Sequence, residues 1–199
     1  MRLSRRTLVV CLFAAVALVA RTDAAAPSTI DFEELRVDDA MIRGVGPVYA
    51  VDGFIFTATV PPGVTNVPCF ATIGSLNPSF MGSTSLYNCN ALSGTTLTRS
   101  DGGIFRLQSI DLAEVPNFDS TGNPINFGSF ALTFFGVRAN GSTVQATATI
   151  DPFPSVTTFK FDGFSNLVSV TWYQGPGGEP GPTHQFDNVR VMAGPPNKG

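Results

Sequence analysis

Charge is what this sequence has least of. Only 14% of its 199 residues are Asp, Glu, Lys or Arg, with four Glu and two Lys among them, and there is one His and one Trp. A coiled coil needs sustained Ala/Glu/Lys/Leu heptads, and disorder needs low hydrophobicity with high charge. At 43% hydrophobic residues the chain fits neither. The lone histidine, His184, lies near Asp187, but there is no G-x-S-x-G elbow, so His184 reads as a surface or edge residue and not as part of a catalytic triad. One His and a pair of cysteines cannot build a closed zinc site. Glu33, Glu34, Glu114 and Glu179 show no spacing that singles out a carboxylate pair for glycoside hydrolysis. The chain is expected to have no catalytic residues.

Long apolar runs are also missing. The longest, Leu8 to Ala20, would reach about 20 Å as a helix, against a hydrocarbon core of about 30 Å. Arg2, Arg5 and Arg6 precede it and Ala24-Ala25-Ala26 follow, which is the layout of an export signal cleaved after Ala24 or Ala26. Residues 1–26 are therefore expected to be removed and the protein secreted, through the periplasm in a Gram-negative cell. Their loss takes away four Arg and one Asp and moves the net charge from -3 to -6. A chain of that charge has no electrostatic footprint for nucleic acid or for an anionic membrane surface. Cys11 leaves with the signal. Cys69 and Cys89 remain as an even pair in an oxidising compartment and are expected to form a disulfide closing a loop of about 20 residues, worth about 3 kcal/mol.

What is abundant is Phe, with 17, together with 20 Gly and 15 Pro that cluster between short alternating runs. That is the pattern of strands punctuated by turns. Strands are expected at Thr29–Leu35, Val51–Val60, Thr95–Arg99, Ser129–Arg138, Thr143–Ile150, Val156–Phe164, Leu167–Tyr173 and Gln185–Met192. In another run, Phe105 and Leu107 give way to Ile110 and Leu112, a slip of phase that predicts a bulge near Gln108-Ser109. Pro61-Pro62-Gly63, Pro68 and Asn77-Pro78 break the chain between 61 and 83 into an irregular excursion in which the disulfide begins. Ser100-Asp101-Gly102-Gly103 reads as a turn joining antiparallel neighbours, and Asn140-Gly141 as a hairpin tip within an N-glycosylation sequon. With no helical crossover, nine or ten strands make an all-β antiparallel jelly-roll sandwich over residues 27–193, followed by a flexible tail at 194–199.

Two sets of residues could bind something. Glu33 in the first strand and Asp187 and Asn188 in the last could converge on a structural calcium, which takes six to eight oxygen ligands; the other reading is edge carboxylates solvated or paired with Arg36 or Arg190. Tyr49, Tyr87 and Tyr173 are the candidate stacking platforms for a sugar ring, ordinary packing being the other reading, whereas Trp172 shares a face with Val168 and Val170 and belongs to the core.

Taken together, Ile30-Asp31-Phe32-Glu33, Gly53-Phe54-Ile55-Phe56, Gly82 to Asn88, Asp101-Gly102-Gly103, Ser109 to Glu114, Phe161-Asp162-Gly163-Phe164 and Phe186-Asp187-Asn188-Val189 resemble the exported jelly-roll domains of bacterial PEP-CTERM proteins, which are similar to galactose-binding-like and carbohydrate-binding modules. The resemblance implies a non-catalytic module that binds carbohydrate or extracellular matrix. The end at Pro195-Pro196-Asn197-Lys198-Gly199 carries no sorting helix, so the expectation is a released monomer without a membrane anchor. A structural or adhesive surface protein without a small ligand and a glycan-active hydrolase are the alternative readings.

Overall fold

The computed structural model describes residues 26–60, 65, 67–125, 127–174 and 182–195; residues 1–25 of the expected signal segment and the end of the tail lie outside them. The chain is an all-β antiparallel sandwich. Its strands are β1 (Ser28–Ile30), β2 (Ile42–Gly46), β3 (Val48–Val51), β4 (Phe54–Thr59), β5 (Phe70–Ile73), β6 (Leu86–Asn88), β7 (Gly94–Arg99), β8 (Phe105–Glu114), β9 (Asn117–Phe118), β10 (Pro124–Ile125), β11 (Phe130–Arg138), β12 (Thr143–Ile150), β13 (Val156–Lys160), β14 (Leu167–Tyr173) and β15 (His184–Ala193). One layer runs β12-β11-β14-β7-β4-β3 and the other β2-β5-β6-β15-β8-β13, with β1 also on β15. Leu167 opposite Phe105 bridges the layers at one corner.

The strand count exceeds the nine or ten expected from the sequence, because several strands are too short to show alternation. β1 ends at Ile30, and Glu33–Leu35 form a 3-10 turn where a continuous strand was expected. The run expected at Val51–Val60 is β4, which a hairpin joins to the preceding β3. Asp52 and Gly53 turn it with φ of 51° and 78°, the left-handed pair that a two-residue hairpin requires. β5 lies inside the stretch read as irregular. The expected bulge is present: between β8 and β15 the register slips from Ser109 opposite Arg190 to Leu107 opposite Val191. The turn at 100–103 does not join paired neighbours. β7 pairs with β4 and β14, and β8 with β13, β14 and β15, so this turn carries the chain from one layer to the other. The Arg99 guanidinium pins it by donating to the Ile104 and Gly194 carbonyls, both at 2.7 Å.

Aromatic rings fill the space between the layers. Phe32 packs edge-on to Phe56 and Phe186 at 5.5 and 5.8 Å, Phe186 meets Trp172 at 5.2 Å, Trp172 meets Phe134 at 5.4 Å, and Phe134 meets Phe161 at 4.9 Å. These contacts run across the core, and Trp172 is buried there as its spacing predicted. Each such pair is worth about 0.5–1.5 kcal/mol beyond the area it buries. A second, smaller cluster of Ala71, Ile73 and Tyr87, with Phe80 and Val115 against it, lies on the far side of the second layer. Cys69 and Cys89 are bonded, with Cα atoms 5.5 Å apart, and the Cys89 N–H donates to the Cys69 carbonyl at 2.9 Å. The disulfide therefore clamps the start of the β5–β6 pair, where Phe70 faces Asn88.

Candidate functional site

In the first layer, alternate residues of each strand point into the aromatic core, and what remains outside is chemically uniform. Reading across the ladders, one outward row is Val48, Thr57, Thr96, Thr171, Phe135 and Gln145. Thr59, Gly94 and Tyr173 form part of the next. No outward position in these rows is charged. The threonines hold one another: Thr96 and Thr171 share a hydrogen bond of 3.0 Å, and Thr133 and Thr147 one of 3.2 Å. Phe135 stands 39% exposed among them. Tyr173 is half-buried, and its ring closes on Gly94: a Cβ at Gly94 would come within 2.9 Å of Tyr173 Cδ1 and Cε1. A glycine lets the ring approach the backbone this closely. The result is a platform of one ring, a second exposed ring and fixed hydroxyls.

The three tyrosines thus separate. Tyr173 lies on this face. Tyr49 is only 8% exposed and points into the core, where its hydroxyl donates to Glu34; burial and that carboxylate push its pKa up. Tyr87 is 9% exposed and belongs to the small cluster behind the second layer, and burial raises its pKa too. Neither offers a stacking surface for a chain lying across the first layer. The sequence signals for this face were the Thr57-x-Thr59, Thr96-x-Thr98 and Thr147-x-Thr149 alternations. Phe135 was missed, because the pattern of one strand does not say which of its faces is covered.

The expected calcium ligands are arranged differently from the sequence reading. Asp187 stands directly opposite Asp111 across β15 and β8, and Asn188, at a bulge with φ 48°, donates from Nδ2 to Asp111 Oδ2 at 3.0 Å and to Asp187 Oδ2 at 3.2 Å. The Thr158 hydroxyl donates to Asp111 Oδ1 at 2.5 Å. Glu33 accepts from the Thr84 N–H at 2.7 Å and faces Arg36 at 3.5 Å, beside the Ser83 hydroxyl that bonds Asp187. Burial raises the Asp187 pKa, with the Asp111 and Glu33 charges adding to it and the Ser83 hydroxyl and Asn188 N–H opposing. Among the described residues no group of three or more His, Cys, Asp or Glu side chains is gathered to hold a metal ion.

His184 is fully buried, where a surface or edge residue was expected. Its N–H donates to Gln174 Oε1 at 2.8 Å, while both ring nitrogens lack partners among the described residues. Burial lowers its pKa to about 4. Glu114 is fully buried as well, and its two oxygens accept from the Phe127 and Phe153 N–H groups at 2.9 and 2.8 Å. It ties two loops together and is not presented to a groove.

No family model matches the chain, and no curated protein matches it. Among solved structures, the chain is similar to a family 29 carbohydrate-binding module variant complexed with cellulohexaose, at 13% identity and a TM-score of 0.38, covering 86% of this chain and 92% of that one. A variant complexed with mannohexaose matches at 13% and 0.37 over 85% and 92%, and a further family 29 module at 14% and 0.37 over 78% and 89%. Likeness at this level assigns no ligand to the present chain.

Proposed function

We propose that this protein is a secreted, non-catalytic carbohydrate-binding module whose ligand is a neutral polysaccharide laid across the outer face of the first layer. The observation that carries the reading is the Tyr173 ring resting on Gly94 within an uncharged field of threonines. An apolar ring face stacks on a pyranose while neighbouring hydroxyls bond its equatorial oxygens. A face without carboxylates or cations neither attracts nor repels a neutral chain, and it offers nothing to a charged one. The fully buried, amide-bound Glu114 supports a binding role over a hydrolytic one. The test is co-sedimentation of the protein with insoluble cellulose, mannan and xylan. Binding to at least one, weakened tenfold or more in Tyr173→Ala and in Phe135→Ala, is the expected result. Binding to none, or binding indifferent to both substitutions, overturns the reading.

A further inference from the structure

Behind the second layer, on the side away from the threonine face, lies a groove of about 300 Å³. One wall is Tyr87 on β6, whose ring is held by Ala71, Phe80 and Val115. The other is the β9–β10 hairpin, which brings Asn117 and Phe118 to the groove, with Thr183 at its floor. This hairpin is fixed from within: Asp119 Oδ1 accepts from the Thr121 and Asn123 N–H groups at 2.8 and 2.9 Å. The wall is therefore shaped before any ligand arrives, which lowers the entropy cost of binding. Tyr87, Asn117 and Thr183 bring a hydroxyl, an amide and a second hydroxyl to the groove, and no charged side chain lines it among the described residues.

We infer that this groove is a second saccharide subsite, taking one or two neutral sugar residues between Phe118 and Tyr87, so that the protein bridges two glycan chains from its opposite faces. The inference rests on the carbohydrate-binding reading above. Its volume lies at the lower end of the range for small-ligand pockets, and aromatic walls with hydroxyl and amide groups beside them are what a neutral sugar requires. A cation or anion would find no counter-charge there.

The experiment is calorimetric titration of the full chain with cellohexaose and mannohexaose, with Tyr173→Ala to silence the face, and Tyr87→Phe and Asn117→Ala to weaken the groove. Tyr87→Phe keeps the ring and removes only the hydroxyl, so the small cluster stays packed; thermal melting confirms the fold of each variant. The expected result is two bound oligosaccharides per chain, one lost in Tyr173→Ala and the other weakened about tenfold in Tyr87→Phe and in Asn117→Ala. A single bound oligosaccharide abolished by Tyr173→Ala overturns the groove and leaves the face standing. Two sites indifferent to both groove substitutions also overturn it. No binding of either sugar by the unaltered protein, together with no co-sedimentation, overturns both readings.

Discussion

Tyr173 and Gly94 face each other across the β14–β7 ladder so closely that a single added methyl would strike the phenol ring. Gly94 has no left-handed φ, so alanine is acceptable to the backbone there. Gly94→Ala is expected to lift the Tyr173 ring off the sheet and reduce polysaccharide co-sedimentation about tenfold, while changing stability by no more than about 1 kcal/mol. Sedimentation and a denaturant melt of the same preparation separate the two effects.

His184 makes the protein acid-sensitive. Its pKa of about 4 in the folded state lies below the ordinary 6.5, so between those values the unfolded chain binds more protons. Stability present above pH 6.5 is therefore lost as the pH falls through this window, by about 3 kcal/mol near pH 4. Asp187 acts in the opposite sense, because its raised pKa lets the folded state take up a proton first. Urea melts from pH 7 to pH 4 should show the decline, and His184→Met, which removes two unpaired buried nitrogens, should flatten it. An equal slope in the variant would exclude His184 as the cause.

Reduction of the Cys69–Cys89 bond releases a loop with a sequence separation of 20. The expected cost is about 3 kcal/mol, or a Tm lower by roughly 10 °C in a domain of this size. Calorimetric scans with and without reductant measure it. Intact mass after alkylation must show no free thiol at these two positions in the unreduced protein.

Asp187→Asn should stabilise the protein in EDTA at pH 7 by up to about 1 kcal/mol, since it removes one of two carboxylates set directly opposite each other across adjacent strands. The same pair of proteins tests the calcium expectation. A cation seated between Asp111 and Asp187 requires a rise in Tm on adding Ca²⁺ that Asp187→Asn does not show.

The alternation in Thr143–Ile150 and the phase slip near Gln108 were readable from local order alone, since pleat and bulge are properties of one strand. The disulfide was readable from the two cysteines left once the expected export segment is set aside. Three tyrosines looked equivalent because a period of two separates the faces of a strand without saying what covers either. Asp111 went unnoticed because its partner lies 76 residues away.

By itself, the sequence determined an all-β chain, built from Phe-rich alternating runs between Gly and Pro, with 14% charged residues and cysteines at 69 and 89 placed to pair. Only the tertiary structure decided which of its faces meets solvent. Layer order is set by pairings between distant strands, and these buried Tyr49, enclosed His184 and Glu114, set Asp187 against Asp111 and left the Tyr173 ring lying on Gly94.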